Sequence, residues 1–133
     1  MTHWANTYIG APWVEGAEGP DAYDCYGLLR TVMQTHYGIE MPVVELDRGN
    51  VLAVVRAIRR HEENANWEPL AKPEDGCLVK MFRAGDPDHV GIWIDADGGG
   101  VLHCNQVDGV AFHGAIDLPM LGWRNIQYYR RRT

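Results

Sequence analysis

The sequence has little cysteine, and its three thiols, Cys25, Cys77 and Cys104, cannot all pair with one another. The first residues, MTHWANTYIGAPW, lack the basic start and the apolar stretch of a secretory signal. We therefore expect synthesis in a reducing cytoplasm with free thiols. If the protein acts outside that cell, something else has to carry it there.

Basic residues are also scarce, with 12 Lys and Arg against 18 Asp and Glu and a net charge of −6. This balance argues against general nucleic-acid binding, which depends on a basic surface. The only dense basic run, residues 130–132, is interpreted as a solubilising end. No apolar run approaches the roughly 18 residues that a membrane span needs. The sequence therefore predicts neither nucleic acid nor membrane as a partner.

The residues that are present fit a globular protein, with 46% hydrophobic content and a length that suits one domain over 1–133. Apolar residues recur at helical spacing over about 24–37, between Asp24 as a candidate N-cap and Gly38 as a stop. The spacing predicts a second helix over about 50–63, followed by a loop over 64–75.

From Gly76 onward the hydrophobic period changes to two, which indicates strands. The five predicted strands are residues 77–82, 89–95, 100–104, 109–114 and 126–131. Helices followed by consecutive hairpin-linked strands predict an α+β domain. In this fold the N-terminal helices pack on a C-terminal antiparallel sheet of about five strands.

The stretch DAYDCYGLLR places Cys25 in the first turn of the first predicted helix. A helix start carries unpaired N–H groups and partial positive charge, which favour a thiolate and can stabilise an oxyanion. The charge of Asp24 would oppose this if it faced the sulfur, so we expect Asp24 to cap the backbone. Taken alone, the position fits a catalytic cysteine and a small apolar core residue about equally.

Six histidines are available to activate such a thiol. Four have ordinary explanations near a terminus, a helix end or a turn, namely His3, His36, His61 and His113. His89 opens an apolar strand and His103 lies inside another, where an imidazole needs a polar partner. These two are the candidate bases, although a lone strand histidine is more often structural.

The two candidate bases lie on strands that form a hairpin, so their side chains can share a face. They do so if His103 pairs with His89 or with Gly91, whereas pairing with Ile92 would separate them. Gly91 leaves room beside the rings for another backbone, and we expect the helix of Cys25 to fill it.

Four motifs in order, DAYDCYGLLR, PEDGCLVKMF, DHVGIWID and VLHC, resemble the NlpC-like cysteine peptidases over about residues 8–130. The resemblance implies a papain-like hydrolase of peptide bonds in peptidoglycan stem peptides, with no cofactor. It implies Cys25 as nucleophile, His89 as base and His103 as the orienting third residue. The segment GPDAYDCYGLLR also resembles phage or prophage tail-associated members of the family. This resemblance implies a location on the virion tail, action at the cell wall and other tail proteins as partners.

The sequence departs from the family pattern at three positions. Tyr26 stands where many members have a serine, Trp13 where many have a tyrosine, and Cys77 where an aspartate is usual. The changes bear on substrate preference more than on the nucleophile. We take Trp13, Asp24, Tyr26 and Trp93 as the candidate substrate-binding residues, although the aromatic ones also suit core or rim packing.

Two other functions remain open beside the peptidase. A structural or assembly component of a phage tail could keep the fold with weak activity or none, which the changes at Trp13 and Tyr26 would permit. Acyl transfer to an amine or a lipid would use the same thiol and base.

A metal site is a third alternative, with Cys77, His89, His103 and Cys104 as ligands. It is disfavoured because no close cysteine pair is present. Adjacent strand residues such as His103 and Cys104 also point to opposite faces.

Overall fold

The computed structural model describes residues 3–40, 67–84 and 86–131. A short 3₁₀ helix, Trp4–Thr7, precedes the main helix α1, Cys25–Tyr37. The helix predicted over 50–63 lies outside the described residues. None of the described helices is long and apolar enough to cross a membrane.

Both ends of α1 follow from the sequence. The Asp24 carboxylate accepts the N–H of Gly27 at 2.6 Å and so caps the first turn, as expected. Gly38 ends the helix at φ +66°, and its N–H bonds the Met33 carbonyl. A left-handed residue at this position is typical of a helix C-terminus and suits glycine best.

The sheet is antiparallel and has six strands in the order β1-β6-β2-β3-β4-β5. The strands are β1 (Trp67–Leu70), β2 (Leu78–Arg83), β3 (Asp86–Ile94), β4 (Gly100–Asn105), β5 (Gly109–Gly114) and β6 (Arg124–Arg131). A one-turn helix α2, Asp117–Met120, precedes β6. The predicted α+β architecture is confirmed.

The predicted loop over 64–75 is wrong in part, because Trp67–Leu70 forms β1 and pairs with β6. The segment is short and contains Pro69, two features that weaken a strand signal in the sequence. Proline is nevertheless accepted on an edge strand, and β1 lies at the end of the strand order. The last strand also begins at Arg124, two residues before its predicted start.

Two hydrophobic clusters lie on the two faces of the sheet. On one face, α1 packs against β3 and β4 through residues such as Leu29, Ile92 and Leu102. On the other face, Trp93 and Val101 join a second cluster of Cys77, Val79, Met81, Leu118 and Trp123. We call these the helix face and the tryptophan face.

Candidate active site

Cys25 is the first residue of α1, and its surroundings are set by Asp24. One carboxylate oxygen of Asp24 holds the N–H of Gly27, and the other accepts the N–H of Gly16 at 2.9 Å. Cys25 belongs to the cluster on the helix face and keeps 8% of its surface exposed. The thiol thus lies at the margin of the core, in the first turn of α1, where the partial positive charge of a helix start is located.

The other two thiols are held protonated. Cys104 donates from Sγ to the Tyr23 carbonyl at 3.2 Å. Burial, with smaller contributions from Cys25 and Asp24, raises the pKa of Cys104 to about 12. Burial likewise raises the pKa of Cys77 to about 11. Neither is a nucleophile near neutral pH, since the reactive form is the thiolate.

His89 and His103 are brought together by the strand register. Gly91 pairs with His103, one of the two registers that place both rings on one face. Nε2 of His89 lies 2.9 Å from Nδ1 of His103, and both residues are buried. The pair is therefore a hydrogen-bonded imidazole couple shielded from water.

Trp123 covers this couple. Its indole stacks on the ring of His89 at 4.8 Å between centroids and meets the ring of His103 edge-on at 5.4 Å. The Arg83 guanidinium lies 4.0 Å over the same indole. Burial first, then the neighbouring His89, His113 and Arg83, holds the pKa of His103 well below its usual value. His103 is accordingly neutral at physiological pH.

His113, which the sequence led us to interpret as a turn residue, extends the row. It lies within β5, and its Nδ1 is 2.8 Å from Nε2 of His103. The prediction of a turn role is wrong. The signal was available, because His113 pairs with Val101, which shares a face with His103. The alternation of side chains that can place His89 and His103 on one face, applied to the next hairpin, would have suggested that His113 can share that face.

The space beside Gly91 is filled by β4, and the expectation that α1 would fill it is wrong. A Cβ on Gly91 would lie 2.8 Å from the Leu102 carbonyl oxygen and 2.9 Å from the Cβ of His103. The residues of β3 that join α1 in one cluster, Val90 and Ile92, are on the opposite face. Gly91 therefore permits close pairing of β3 with β4.

Cys25 belongs to the cluster on the helix face, whereas the ring of His89 stacks on Trp123 on the tryptophan face, near the start of β3. The pairing of β2 with β3 shifts between Met81, the partner of His89, and Arg83. Such irregularities bend strands and re-aim side chains. His89 thus lies beside this irregularity, with its ring stacked on Trp123 and hydrogen-bonded to His103.

Of the four candidate substrate-binding residues, two are core residues. Tyr26 and Trp93 are 1% and 6% exposed. Trp93 donates from Nε1 to Asp95 at 2.7 Å, near the far end of its hairpin. The prediction that these side chains line a cleft is not supported, and the alternative of core packing describes them.

The other two candidates flank the helix start. Both oxygens of Asp24 accept backbone N–H groups, so its carboxylate organises the loop before Cys25. Trp13 is half-buried, and its backbone bridges Tyr23, two residues before Cys25. Trp13 is the candidate that combines accessible surface with a place near the thiol.

The histidine row does not form a metal-binding cluster. Within the described ranges, no group of three or more His, Cys, Asp or Glu is arranged to hold an ion. The ring nitrogens of His89, His103 and His113 bond one another in a line.

A helix that begins at a cysteine, packed on an antiparallel sheet that carries a buried histidine couple, defines the papain-like α+β class. Residues 10–120 match the family model described as the NlpC/P60 family, and the chain belongs to this family. Members of the family are cysteine peptidases or amidases of peptidoglycan.

The fold is also similar to a solved structure titled as the NlpC/p60 domain of peptidoglycan hydrolase SagA. The two share 20% identity with a TM-score of 0.58, over 93% of this chain and 91% of that one. At this identity the likeness establishes the fold. No curated protein matches the sequence.

Proposed function

We propose that the protein is a cysteine endopeptidase that hydrolyses amide bonds in peptidoglycan stem peptides. Cys25 is the nucleophile, His89 the base and His103 the residue that orients the base. The observation that carries the proposal is the buried bond between Nε2 of His89 and Nδ1 of His103, which engages one ring nitrogen of the proposed base with a polar partner. Family membership and the cysteine at a helix start support the same assignment.

The bond to His103 decides which nitrogen of His89 acts. Since Nε2 is engaged with His103, the proton of the Cys25 thiol moves to Nδ1. The thiolate attacks the amide carbon, the C–N bond breaks, and Nδ1 returns the proton to the leaving amine. Water, deprotonated by the same nitrogen, then hydrolyses the thioester and restores the thiol. His103, buried and neutral, holds the ring of His89 in place throughout.

The oxyanion of the tetrahedral intermediate is stabilised at the helix start. The backbone N–H of Cys25, in the first turn of α1, is one proposed donor. The indole N–H of Trp13 is a candidate second donor, since Trp13 keeps accessible surface in the loop that pairs with Tyr23. Stabilisation of the oxyanion by these two N–H groups needs no metal or organic cofactor.

Substrate preference differs in this proposal from that of family members with a serine after the cysteine. Tyr26 is buried, so the contact that such a serine makes with substrate is absent rather than replaced. The recognition surface falls on the loop of Trp13. We further propose that the protein is associated with a phage or prophage tail, acts at the cell wall and has other tail proteins as partners. This proposal rests on the segment GPDAYDCYGLLR.

A second candidate is a weakly active or inactive structural component of a phage tail. The observation that favours it is the small exposure of Cys25, 8%, which restricts substrate approach in this conformation. Thiol-dependent acyl transfer is a third, because nucleophile and base would be the same. Mass spectrometry distinguishes them: hydrolysis adds water across the amide, acyl transfer joins two fragments, and a structural component leaves the fragments unchanged.

Replacing Cys25 by Ala tests the nucleophile. We expect cleavage of purified stem peptides to fall by at least about 10³-fold, since the covalent route is lost. The midpoint of thermal unfolding should stay within a few degrees, because a thiol at the edge of the core contributes little packing. Cys77→Ala is the matched control and should retain activity. Cleavage by Cys25→Ala above a trace would reject the assignment.

A further inference from the structure

We propose that His113 is a positioning residue that fixes the tautomer of His103 and, through it, keeps Nδ1 of His89 able to accept a proton. The inference rests on the proposed function. It starts from two consecutive bonds, 2.9 Å from His89 to His103 and 2.8 Å from His103 to His113. The row ends on β5, at the edge of the sheet.

Both ring nitrogens of His103 are in hydrogen bonds, yet a neutral imidazole has only one N–H. One nitrogen therefore donates and the other accepts. His103 is fully buried beside two other imidazoles and the Arg83 guanidinium, surroundings that oppose a second proton. Hence both hydrogen bonds along the histidine row run the same way, from donor to acceptor, and two such orientations are available.

In the productive direction, Nε2–H of His89 donates to Nδ1 of His103, and Nε2–H of His103 donates to Nδ1 of His113. Nδ1 of His89 then carries no hydrogen and can take the thiol proton. The same direction serves after that transfer, because a doubly protonated His89 still donates from Nε2. The bonds need not be rearranged during the reaction.

In the reverse direction, His113 donates from Nδ1 and His103 donates from Nδ1 to His89. The hydrogen of His89 is then on Nδ1, and the thiol has no acceptor. The productive direction therefore requires Nδ1 of His113 to accept, and we assign His113 the tautomer with its hydrogen on Nε2. Removing that acceptor leaves Nε2–H of His103 buried without a partner and allows the row to reverse.

The test compares His113→Leu, which removes the acceptor, with His113→Asn, whose side-chain oxygen lies near the position of Nδ1. We expect kcat on peptidoglycan fragments to fall about tenfold in His113→Leu with KM within about twofold, since only the base is affected. His113→Asn should keep kcat within about threefold of the unmodified protein. Phe112→Leu, on the same strand but packed on the helix face, is the matched control.

Nitrogen-15 NMR of the histidine rings supplies a readout that does not depend on activity. We expect the hydrogen of His103 on Nε2 in the unmodified protein and in His113→Asn, and a mixture in His113→Leu. A hydrogen on Nδ1 of His103 in the unmodified protein would overturn the inference, as would unchanged kcat and unchanged spectra in His113→Leu. If the unmodified protein does not cleave the fragments, the proposed function fails, and the spectra alone decide the role of His113. They also decide it if His113→Leu does not fold.

Discussion

The two faces of the sheet are built from the same strands but hold different kinds of residue. Toward α1, β3 and β4 present Val90, Ile92 and Leu102, all fully buried and apolar. On the tryptophan face the intervening positions present His89 and His103. Because side chains alternate along a strand, residues that hold the fold and residues proposed to do chemistry are sequence neighbours with separate surroundings.

The difference between the faces shows how a small domain can bury polar groups. The imidazoles satisfy one another by hydrogen bonds and are covered by Trp123, so their burial does not leave unpaired nitrogens between them. The helix face supplies the larger of the two apolar clusters that stabilise the fold. Substitutions should therefore separate activity from stability, and the following predictions test this from the largest expected effect to the smallest.

The largest effect concerns thiol reactivity. At pH 7.5 we expect iodoacetamide to modify Cys25 on the order of a thousandfold faster than Cys77 or Cys104, because the helix start favours its thiolate. Burial raises the pKa of Cys77 to about 11 and of Cys104 to about 12, so both are almost entirely protonated. Peptide mapping of the folded protein over time measures the three rates.

Denatured protein is the control for this measurement, since unfolding should bring the three rates to within a few-fold of one another. Equal rates in the folded protein would make Cys25 an ordinary core thiol. The helix face, to whose cluster Cys25 belongs, would then contribute no proposed nucleophile.

The next effect concerns stability on the helix face. Ile92 is fully buried and pairs with Leu102 beneath α1. Ile92→Ala should lower the free energy of unfolding by about 3 kcal/mol, through lost burial and the cavity left behind. Urea denaturation measures the change. At a temperature well below the unfolding transition, kcat should stay within about twofold, because the side chain faces away from His89. A loss of kcat as large as the loss of stability would show that the faces are not separable.

Much of this arrangement could be predicted from sequence because it depends on local rules. The cap at Asp24 and the stop at Gly38 follow from helix-end signals, and side-chain alternation limited the hairpin to a few registers, of which the structure has Gly91 paired with His103. The motif order further indicated the family.

The errors arose where distant contacts decide the outcome. The pairing of β1 depends on β6, more than fifty residues later in the chain. The burial of Tyr26 depends on how α1 meets the sheet, which periodicity over one turn does not determine. The cover formed by Trp123 and Arg83 brings two strands and a loop together, and no spacing in the sequence marks it.

The smallest effect concerns pH. Burial keeps the pKa of His103 well below 6.5, so above that value the ring is neutral in both the folded and the unfolded chain. Below pH 6.5 His103 binds a proton in the unfolded chain but not in the folded protein. Stability therefore falls as pH falls, by up to about 1.4 kcal/mol per unit from this residue. The groups that face the ring, His89, His113 and Arg83, all oppose its protonation.

Urea denaturation between pH 6.5 and 5.5, above the range in which most carboxylates titrate, measures this slope. His36 contributes in the same direction, since burial and then the nearby His3 lower its pKa. His103→Asn isolates the ring of interest, because it removes one titrating group and leaves His36 in place. The slope of His103→Asn should be shallower by about 1 kcal/mol per pH unit. An unchanged slope would mean that His103 accepts a proton in the folded protein, and the histidine row could then not keep a fixed direction.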